Sequence, residues 1–260
     1  MKELDQIQGT TLKATRKTVL KTLAAGSVLG AAFAALGTAP AVVNAQSVTD
    51  TDILNFALNL EYLEAEFYNY AVYGKGIDSL GVAITGSGAS GQTVGGSAVQ
   101  LSGKVVTETA KQLAHDELTH VQLLRGALGK DAVAKPAINL GALGVGFKSL
   151  TEFLLLARAF EDTGVSAYGG AAPLIVSKDT LGTAARILAA EAEHAGCIRT
   201  LVALKGVGTK ALDGKDVLPP PAGNNIFSLD SSALAIVRTP AEVLAIVKPF
   251  FPQGLNGTIK

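Results

Sequence analysis

The sequence predicts an all-α protein, in which four long helices form an antiparallel bundle and a C-terminal extension adds a short helix. Three observations lead to this prediction. Hydrophobic residues make up 48% of the 260 residues, whereas charged residues make up only 17%. Alanine and leucine are abundant, and both favour helices over strands. Apolar residues recur at helical spacing in four segments, each about 20–28 residues long.

The helix ends follow from local signals. Asp50 or Thr51 is expected to cap the first helix, because short polar side chains accept hydrogen bonds from free N–H groups. Gly129 is expected to end the second. The four helices are predicted at residues 49–73, 104–128, 149–169 and 178–205.

The connections divide the chain into regions. A glycine- and serine-rich stretch at 85–103 is expected to be a flexible or weakly β loop. Residues 47–205 form the predicted bundle, and residues 206–260 form an extension packed on it. The motif TPAE at 239–242 predicts a helix start there, because it combines a capping threonine, an N-terminal proline and a capping-box glutamate.

Residues 1–46 have the pattern of an export signal. A basic segment precedes an uncharged apolar one, and small residues at Val43 and Ala45 suit a cleavage site. The basic segment is similar to a twin-arginine signal with Lys17 at the second arginine, and the general secretory route fits as well. An exported protein, periplasmic or extracellular, is predicted. The alternative is an uncleaved membrane anchor over residues 24–43.

Composition excludes several function classes. The 22 basic and 22 acidic residues balance, so no nucleic-acid partner is predicted. The single cysteine, Cys197, excludes an internal disulfide and a thiolate metal site, and it is expected to be buried. No stable membrane partner is predicted beyond the export signal, and a homo-oligomer is compatible with the sequence.

The same pair of residue types occurs on two predicted helices. Glu117 precedes His120 by three residues, and Glu191 precedes His194 by the same spacing. Side chains at positions i and i+3 share one face of a helix, so each pair points in one direction. Two of the three histidines in the chain belong to these pairs.

The other two long helices each carry a glutamate among apolar residues. Glu61 and Glu161 are both followed seven residues later by a tyrosine, Tyr68 and Tyr168. Seven residues complete nearly two turns, so each glutamate and tyrosine lie along one stripe of their own helix. The tyrosines are expected either to hydrogen-bond near these glutamates or to pack in the core. Glu64 is an alternative to Glu61 as a ligand, or an assisting residue.

Four carboxylates and two imidazoles inside a bundle require cations, because buried charges must be paired. Two divalent metal ions would neutralise four carboxylates, and oxygen and imidazole ligands suit iron or manganese. One glutamate from each of two helices plus Glu-x-x-His from each of the other two is the ligand set of dinuclear carboxylate bundles. The predicted ligands are Glu61, Glu117, His120, Glu161, Glu191 and His194.

Nearby polar residues are assigned lesser roles. His115 is expected to face away from the site, and Asp116 either orients a histidine or forms polar surface. Glu66, Glu152 and Glu193 lie off the ligand stripe and are expected to be solvated.

The motifs NLEYLEAEFY, DELTH, AFEDTGVSAY and EAEH together resemble the ferritin-like superfamily. More narrowly, the ending TPAEVLAIV…FFPQGLNGTIK is similar to an exported ferritin-like domain family that includes desiccation-related proteins. The resemblance covers roughly residues 50–260. It implies an antiparallel bundle with a two-metal centre on the six predicted ligands. The superfamily includes iron oxidases, oxygenases, manganese catalases and members of unknown role, so it implies no single activity.

These observations predict an exported metalloprotein whose iron or manganese pair performs redox chemistry on a small oxidant, dioxygen or peroxide, in oxidative or desiccation stress. An oxidoreductase that oxidises peroxide or iron is one form of this hypothesis. The alternative is a non-catalytic stress-protective or structural envelope protein that retains the metal-binding bundle. Iron storage is disfavoured, because a long exported chain with an extra tail suits a closed shell poorly.

Overall fold

The computed structural model describes residues 48–260, and the predicted export signal at 1–46 lies outside them. The all-α fold is confirmed, and the second helix has the bounds that the sequence predicts. The helices are α1 (Asp50–Tyr73), α2 (Lys104–Leu128), α3 (Leu150–Ala171), α4 (Lys178–Leu204) and α5 (Pro240–Val247). Short 3-10 turns lie at Ile77–Leu80, Gly129–Asp131, Ala172–Leu174 and Lys248–Phe250.

The start of α1 differs from the prediction. Thr49 caps it, not Asp50 or Thr51. The Thr49 N–H donates to the Asp52 carboxylate at 2.8 Å, and the Asp52 N–H donates back to the Thr49 hydroxyl at 3.2 Å. This capping box satisfies two N–H groups reciprocally, which a cap at either neighbour would not achieve. The box predicted for α5 at Thr239 is confirmed.

The four long helices form two antiparallel hairpins, α1 with α2 and α3 with α4. Near the start of α1, the Asn55 side chain donates to the carbonyl of Asp131, just after the end of α2, at 3.0 Å. In the second hairpin, Ala171 at the end of α3 lines the same apolar cleft as Ala184 near the start of α4. In both hairpins, the second helix therefore runs back along the first.

α1 is the central element of the core. Of its 24 residues, 17 are buried, because the loops and tail cover the faces that the other helices leave free. Phe67 stacks on Phe153 of α3 with ring centroids 5.5 Å apart, and meets Phe160 edge-on at 5.1 Å. No helix within residues 48–260 combines the length and apolarity needed to cross a bilayer.

The long connections pack against each other along α1, from Asn55 near its start to Ala71 near its end. β1 (Thr93–Val94) lies in the glycine- and serine-rich connection and pairs in parallel with β2 (Ile138–Asn139), which confirms its weakly β character. The Asn256 side chain near the C-terminus donates to the carbonyls of Ala89, at 2.9 Å, and Ala134, at 2.8 Å. The tail thus ties both connections to each other.

Two buried arginines attach the C-terminal extension to α3 and α4. Arg158 and Arg199 are each 1% exposed. Arg158 donates to the Asp216 carboxylate at 2.5 Å, and Arg199 donates to the carbonyl of Val217 at 2.7 Å. Asp162 lies between the arginines and binds both, at 2.8 Å and 2.7 Å. These charge-assisted hydrogen bonds hold the extension against the bundle.

Candidate metal centre

Six side chains from the four long helices converge in the interior of the bundle. The four glutamates are 0% exposed and the two histidines are 8% exposed. Each Glu-x-x-His pair comes from a single helix face, as the i, i+3 spacing requires. The side chains are Glu61 of α1, Glu117 and His120 of α2, Glu161 of α3, and Glu191 and His194 of α4.

The six side chains form two overlapping groups, each able to hold one metal ion. One group joins Glu61 and His120 to Glu117 and Glu191, and the other joins Glu161 and His194 to the same two glutamates. Within each group, one ligand atom per residue lies within 4.8 Å of all the others. Glu117 and Glu191 belong to both groups, so their carboxylates can face two ions at once.

The first group centres on Nδ1 of His120. This nitrogen lies 3.2 Å from Oε2 of Glu117, 3.3 Å from Oε2 of Glu61 and 3.5 Å from Oε1 of Glu191. Three carboxylate oxygens therefore surround one imidazole nitrogen. A single N–H cannot donate a hydrogen bond to all three.

The second group centres on Nδ1 of His194. This nitrogen lies 2.9 Å from Oε1 of Glu117 and 3.5 Å from Oε2 of Glu161. The two histidine rings lie 6.0 Å apart between their centroids.

Unsatisfied polar atoms are concentrated at this point of the described structure. Six of the nine buried side-chain nitrogen and oxygen atoms without a hydrogen bond belong to the predicted ligands. Buried polar groups are almost always hydrogen-bonded, and each exception costs about 1–3 kcal/mol. The donor set of carboxylates and imidazoles is the one that iron or manganese prefers, so these residues fit a metal pair. The six atoms are Oε2 of Glu61, Oε1 of Glu117, Oε2 of Glu161, both carboxylate oxygens of Glu191, and Nδ1 of His194.

Protons stabilise the cluster when no metal is bound. Burial raises the pKa of Glu117 to about 7, against the opposing hydrogen bonds of the histidines. Burial and the charge of Glu117 raise the pKa of Glu191 well above its usual range. Burial opposes protonation of His194, but the nearby carboxylates of Glu117 and Glu161 raise its pKa to about 12, and neighbouring carboxylates likewise raise the pKa of His120. The protonated imidazoles supply part of the positive charge that the carboxylates require.

The ferritin-like domain family matches residues 49–204, which is more than half of the chain and includes α1 to α4. The chain belongs to the ferritin-like domain family. The match contains all six predicted ligands. No curated protein matches the chain.

The two tyrosines of this ferritin-like domain contact the glutamates crosswise. Tyr68 of α1 donates to Oε1 of Glu161 on α3, and Tyr168 of α3 donates to Oε1 of Glu61 on α1 at 2.5 Å. Of the two expected roles, hydrogen bonding near the glutamates is confirmed, but each tyrosine reaches the glutamate of the facing helix and not that of its own. Each tyrosine occupies one carboxylate oxygen and leaves the other, Oε2, free toward the centre.

The outer edges of the two histidines differ. Asp116 lies 3.3 Å from Nε2 of His194 on α4, so it contacts the histidine of the opposite hairpin and not His120 of its own helix. A carboxylate at this position orients the ring and raises its basicity. His120 instead lines an open surface pocket of about 310 Å³, together with Thr183 and Arg186. The two halves of the site are therefore inequivalent.

Among the neighbouring residues, some predictions are confirmed. His115 and Glu193 are exposed, as expected from their helix faces. Glu61 joins the metal-ligand groups, whereas Glu64 does not, although it is buried with 4% exposure.

Three predictions about polar residues are wrong. Glu66 is buried and forms an ion pair with Lys135 at 3.2 Å. Glu152 is partly buried, and its carboxylate accepts the N–H of Gly146 at 3.1 Å. Cys197 is exposed. The first two errors share a cause, since the long connections fold back onto helix faces that the helical pattern alone marks as solvent-facing.

A second repeated pair escaped the sequence analysis. Arg125 donates to the Tyr62 hydroxyl, and Arg199 donates to the Asp162 carboxylate at 2.7 Å. Each arginine lies eight residues after the glutamate of the Glu-x-x-His pair on its own helix. Its partner directly follows the ligand glutamate of the neighbouring helix, Glu61 or Glu161. The equal spacing in both halves is the signal that could have found these pairs.

Proposed function

We propose that this ferritin-like domain binds two metal ions, iron or manganese, and uses them for redox chemistry on dioxygen or peroxide. The observation that carries the proposal is the concentration of buried, unsatisfied ligand atoms in two groups that share Glu117 and Glu191. The proposed ligands are Glu61, Glu117, His120, Glu161, Glu191 and His194.

Charge supports a pair of divalent ions. Four ionised glutamates carry four negative charges, and two divalent cations neutralise them while both histidines bind as neutral imidazoles. A single divalent ion would leave two buried carboxylates uncompensated, so the donor set suits a pair better than one ion.

Iron or manganese bound here would supply one-electron redox chemistry on a small oxidant. The chain contributes rigid positioning for that chemistry. Tyr68 and Tyr168 hold Glu161 and Glu61 through their hydroxyls, and burial together with the nearby carboxylates raises the pKa of both phenols well above the usual range. The phenols therefore stay protonated and keep donating. The pocket beside His120 offers a small oxidant a route toward the centre.

We further propose that the protein is exported, periplasmic or extracellular, with residues 1–46 as its signal and 206–260 as an extension of the bundle. The order of basic, apolar and small residues supports export. The tail motif supports placement beside desiccation-related proteins, with a role in oxidative or desiccation stress. N-terminal sequencing of the mature protein tests export: we expect Gln46 as the first residue, and a cytosolic protein that begins at Met1 would refute it.

Elemental analysis of the purified protein, followed by peroxide and ferrous-iron oxidation assays, tests the metal centre. We expect two iron or manganese ions per chain and turnover. The variants Glu117→Ala and Glu191→Ala should lose metal, whereas Glu193→Ala, on the exposed face of the same helix, should retain it. Two metal ions without turnover would favour the non-catalytic protective protein. A protein that binds no added Fe²⁺ or Mn²⁺ would refute both readings.

A further inference from the structure

The surface pocket beside His120 has polar groups that can donate hydrogen bonds, and no acidic side chain lines it. Its volume is about 310 Å³, and its polar lining consists of His120, Thr183 and Arg186. The side chains of Leu123 and Ile187 form apolar walls. A few converging polar groups beside apolar walls are typical of a site for a small organic ligand, and here the donors favour an anion.

Arg186 has no partner within the described part of the chain. Of the five arginines at residues 48–260, it alone forms no hydrogen bond or ion pair there. Three of the others bind carboxylates and the fourth binds a tyrosine hydroxyl. The Thr183 hydroxyl also lacks a partner among these residues, whereas the hydroxyls of Thr119 and Thr200 donate to carbonyls four residues back. Both groups are therefore available to a ligand.

His120 lacks the outer partner that His194 has. Nε2 of His194 lies 3.3 Å from the Asp116 carboxylate, whereas Nε2 of His120 forms no hydrogen bond with any described residue. Asp116 directly precedes the ligand glutamate of α2, and Ala190 directly precedes that of α4. The second helix of the other hairpin therefore has a methyl group at the position where α2 carries a carboxylate.

The proton on the outer nitrogen of His120 follows from the proposed metal centre. With Nδ1 bound to a metal ion, Nε2 carries the ring proton and can only donate a hydrogen bond. Metal-binding histidines almost always donate this proton to a carboxylate, a carbonyl or water. A carboxylate in the pocket would satisfy it and would pair with Arg186 at the same time.

We propose that this pocket binds a small organic carboxylate, which serves His120 as Asp116 serves His194. Arg186 supplies the charge-assisted hydrogen bonds, and the apolar walls favour an organic anion over an inorganic one. The inference rests on the proposed function, because the metal fixes the proton on His120. The same pocket is the proposed route for the oxidant, so a bound carboxylate would also limit access to the metal pair.

Calorimetric titration of the Zn²⁺-loaded protein with benzoate tests the site without measuring turnover. We expect one benzoate per chain, and binding of benzamide that is weaker by about tenfold or more, because benzamide has the same shape without the charge. Arg186→Gln should weaken benzoate binding about tenfold or more, since its charge-assisted hydrogen bonds are lost. The control Lys205→Gln removes the same charge from an exposed side chain just beyond α4 and should match the wild type. Inorganic phosphate should bind more weakly than benzoate.

Nitrogen-15 NMR of the histidine rings in the same Zn²⁺-loaded protein locates the bound carboxylate. Benzoate should shift the Nε2–H signal of His120 and leave that of His194 unchanged, because His194 already meets Asp116. Ala190→Asp supplies an internal carboxylate at the matching position. It should weaken benzoate binding about tenfold or more, because the new carboxylate occupies the donor and repels the ligand.

The outcomes separate this site from the metal centre. A protein that holds two Zn²⁺ but binds no benzoate, or binds it equally well in Arg186→Gln, would overturn the inference and leave the metal centre intact. An unshifted His120 signal in the benzoate complex would do the same. Phosphate that binds as tightly as benzoate would overturn the assignment to an organic carboxylate. A wild-type protein that takes up no Zn²⁺ would count against the metal centre itself, and the inference would fall with it.

Discussion

Replacing Glu191 by glutamine should change stability in opposite directions with and without metal. Glu191 is 0% exposed, and both of its carboxylate oxygens lack a hydrogen bond. Burial and the charge of Glu117 raise its pKa well above the usual range, so the folded metal-free protein favours the protonated carboxyl. Glutamine has nearly the same shape as the protonated acid and carries no such protonation cost.

The size of the effect follows from the protonation cost. Holding a carboxyl protonated costs about 1.4 kcal/mol for each pH unit above its unfolded pKa, so the protonation cost at pH 7 is at most about 3 kcal/mol. Glu191→Gln should therefore raise the free energy of unfolding of the metal-free protein by up to about 3 kcal/mol. For a domain of this size, the melting temperature should rise by about 6–12 °C at pH 7 and hardly at all near pH 4.5.

In the presence of metal, Glu191→Gln should lower stability instead of raising it. Ligand at 100 times its Kd stabilises a folded protein by about 2.7 kcal/mol, and losing a glutamate shared by both metal groups should remove most of that gain. Melting curves of wild type, Glu191→Gln and Glu193→Gln in chelator and in Mn²⁺ measure both terms. Glu193 is exposed two residues away, so its variant should follow the wild type. A lower melting temperature of Glu191→Gln in chelator, with an undiminished rise in Mn²⁺, would refute the reasoning.

Three further predictions concern pH, the tyrosines and the attachment of the tail. Folding raises the pKa values of Glu117 and His194, so the metal-free protein should lose stability as pH rises. The loss from Glu117 should fall between pH 4.5 and about 7, and the loss from His194 between pH 6.5 and about 12. Denaturant titrations in the presence of a chelator measure both. Tyr168→Phe should weaken Mn²⁺ binding about tenfold in chelator competition, because a proposed ligand loses its hydrogen bond. Gly170→Ala places a Cβ atom 1.9 Å from the carbonyl of Arg238 and should lower stability by about 2 kcal/mol or more, seen as earlier thermal melting.

Each of these predictions has a contrary result. Metal-free stability that increases steadily from pH 5 to pH 8 would contradict the raised pKa values. Unchanged Mn²⁺ affinity in Tyr168→Phe would assign that tyrosine to packing alone. Gly182→Ala is the control for Gly170→Ala, because a Cβ there meets no atom within 4 Å, and equal melting of both variants would contradict the close approach.

Local patterns predicted the helices closely, because their determinants lie within a few residues of each other. The second helix, Lys104–Leu128, has the predicted bounds, and the capping box at Thr239 forms as expected. The cap at Thr49 was missed because Thr49, Asp50 and Thr51 can all cap a helix. Thr49 is the cap because only it has an acidic residue, Asp52, at the third helical position to complete a capping box.

The sequence by itself determined which side chains could serve a metal centre. Spacing alone puts a glutamate and a histidine on one face of a helix, and the repetition of that pair on a second helix indicates two matching halves. The scarcity of histidine, with only 3 in 260 residues, made the repeated pair visible. These features are periodic and local, so no knowledge of packing was needed to find them.

Only the tertiary structure decided which groups meet across helices. It brought Tyr68 to Glu161 and Asp116 to His194. These contacts depend on the direction and axial offset of neighbouring helices, which no single helical period encodes. Covering loops likewise buried glutamates that the helical pattern left exposed, because burial depends on every element packed against a face and not only on the helix that carries it.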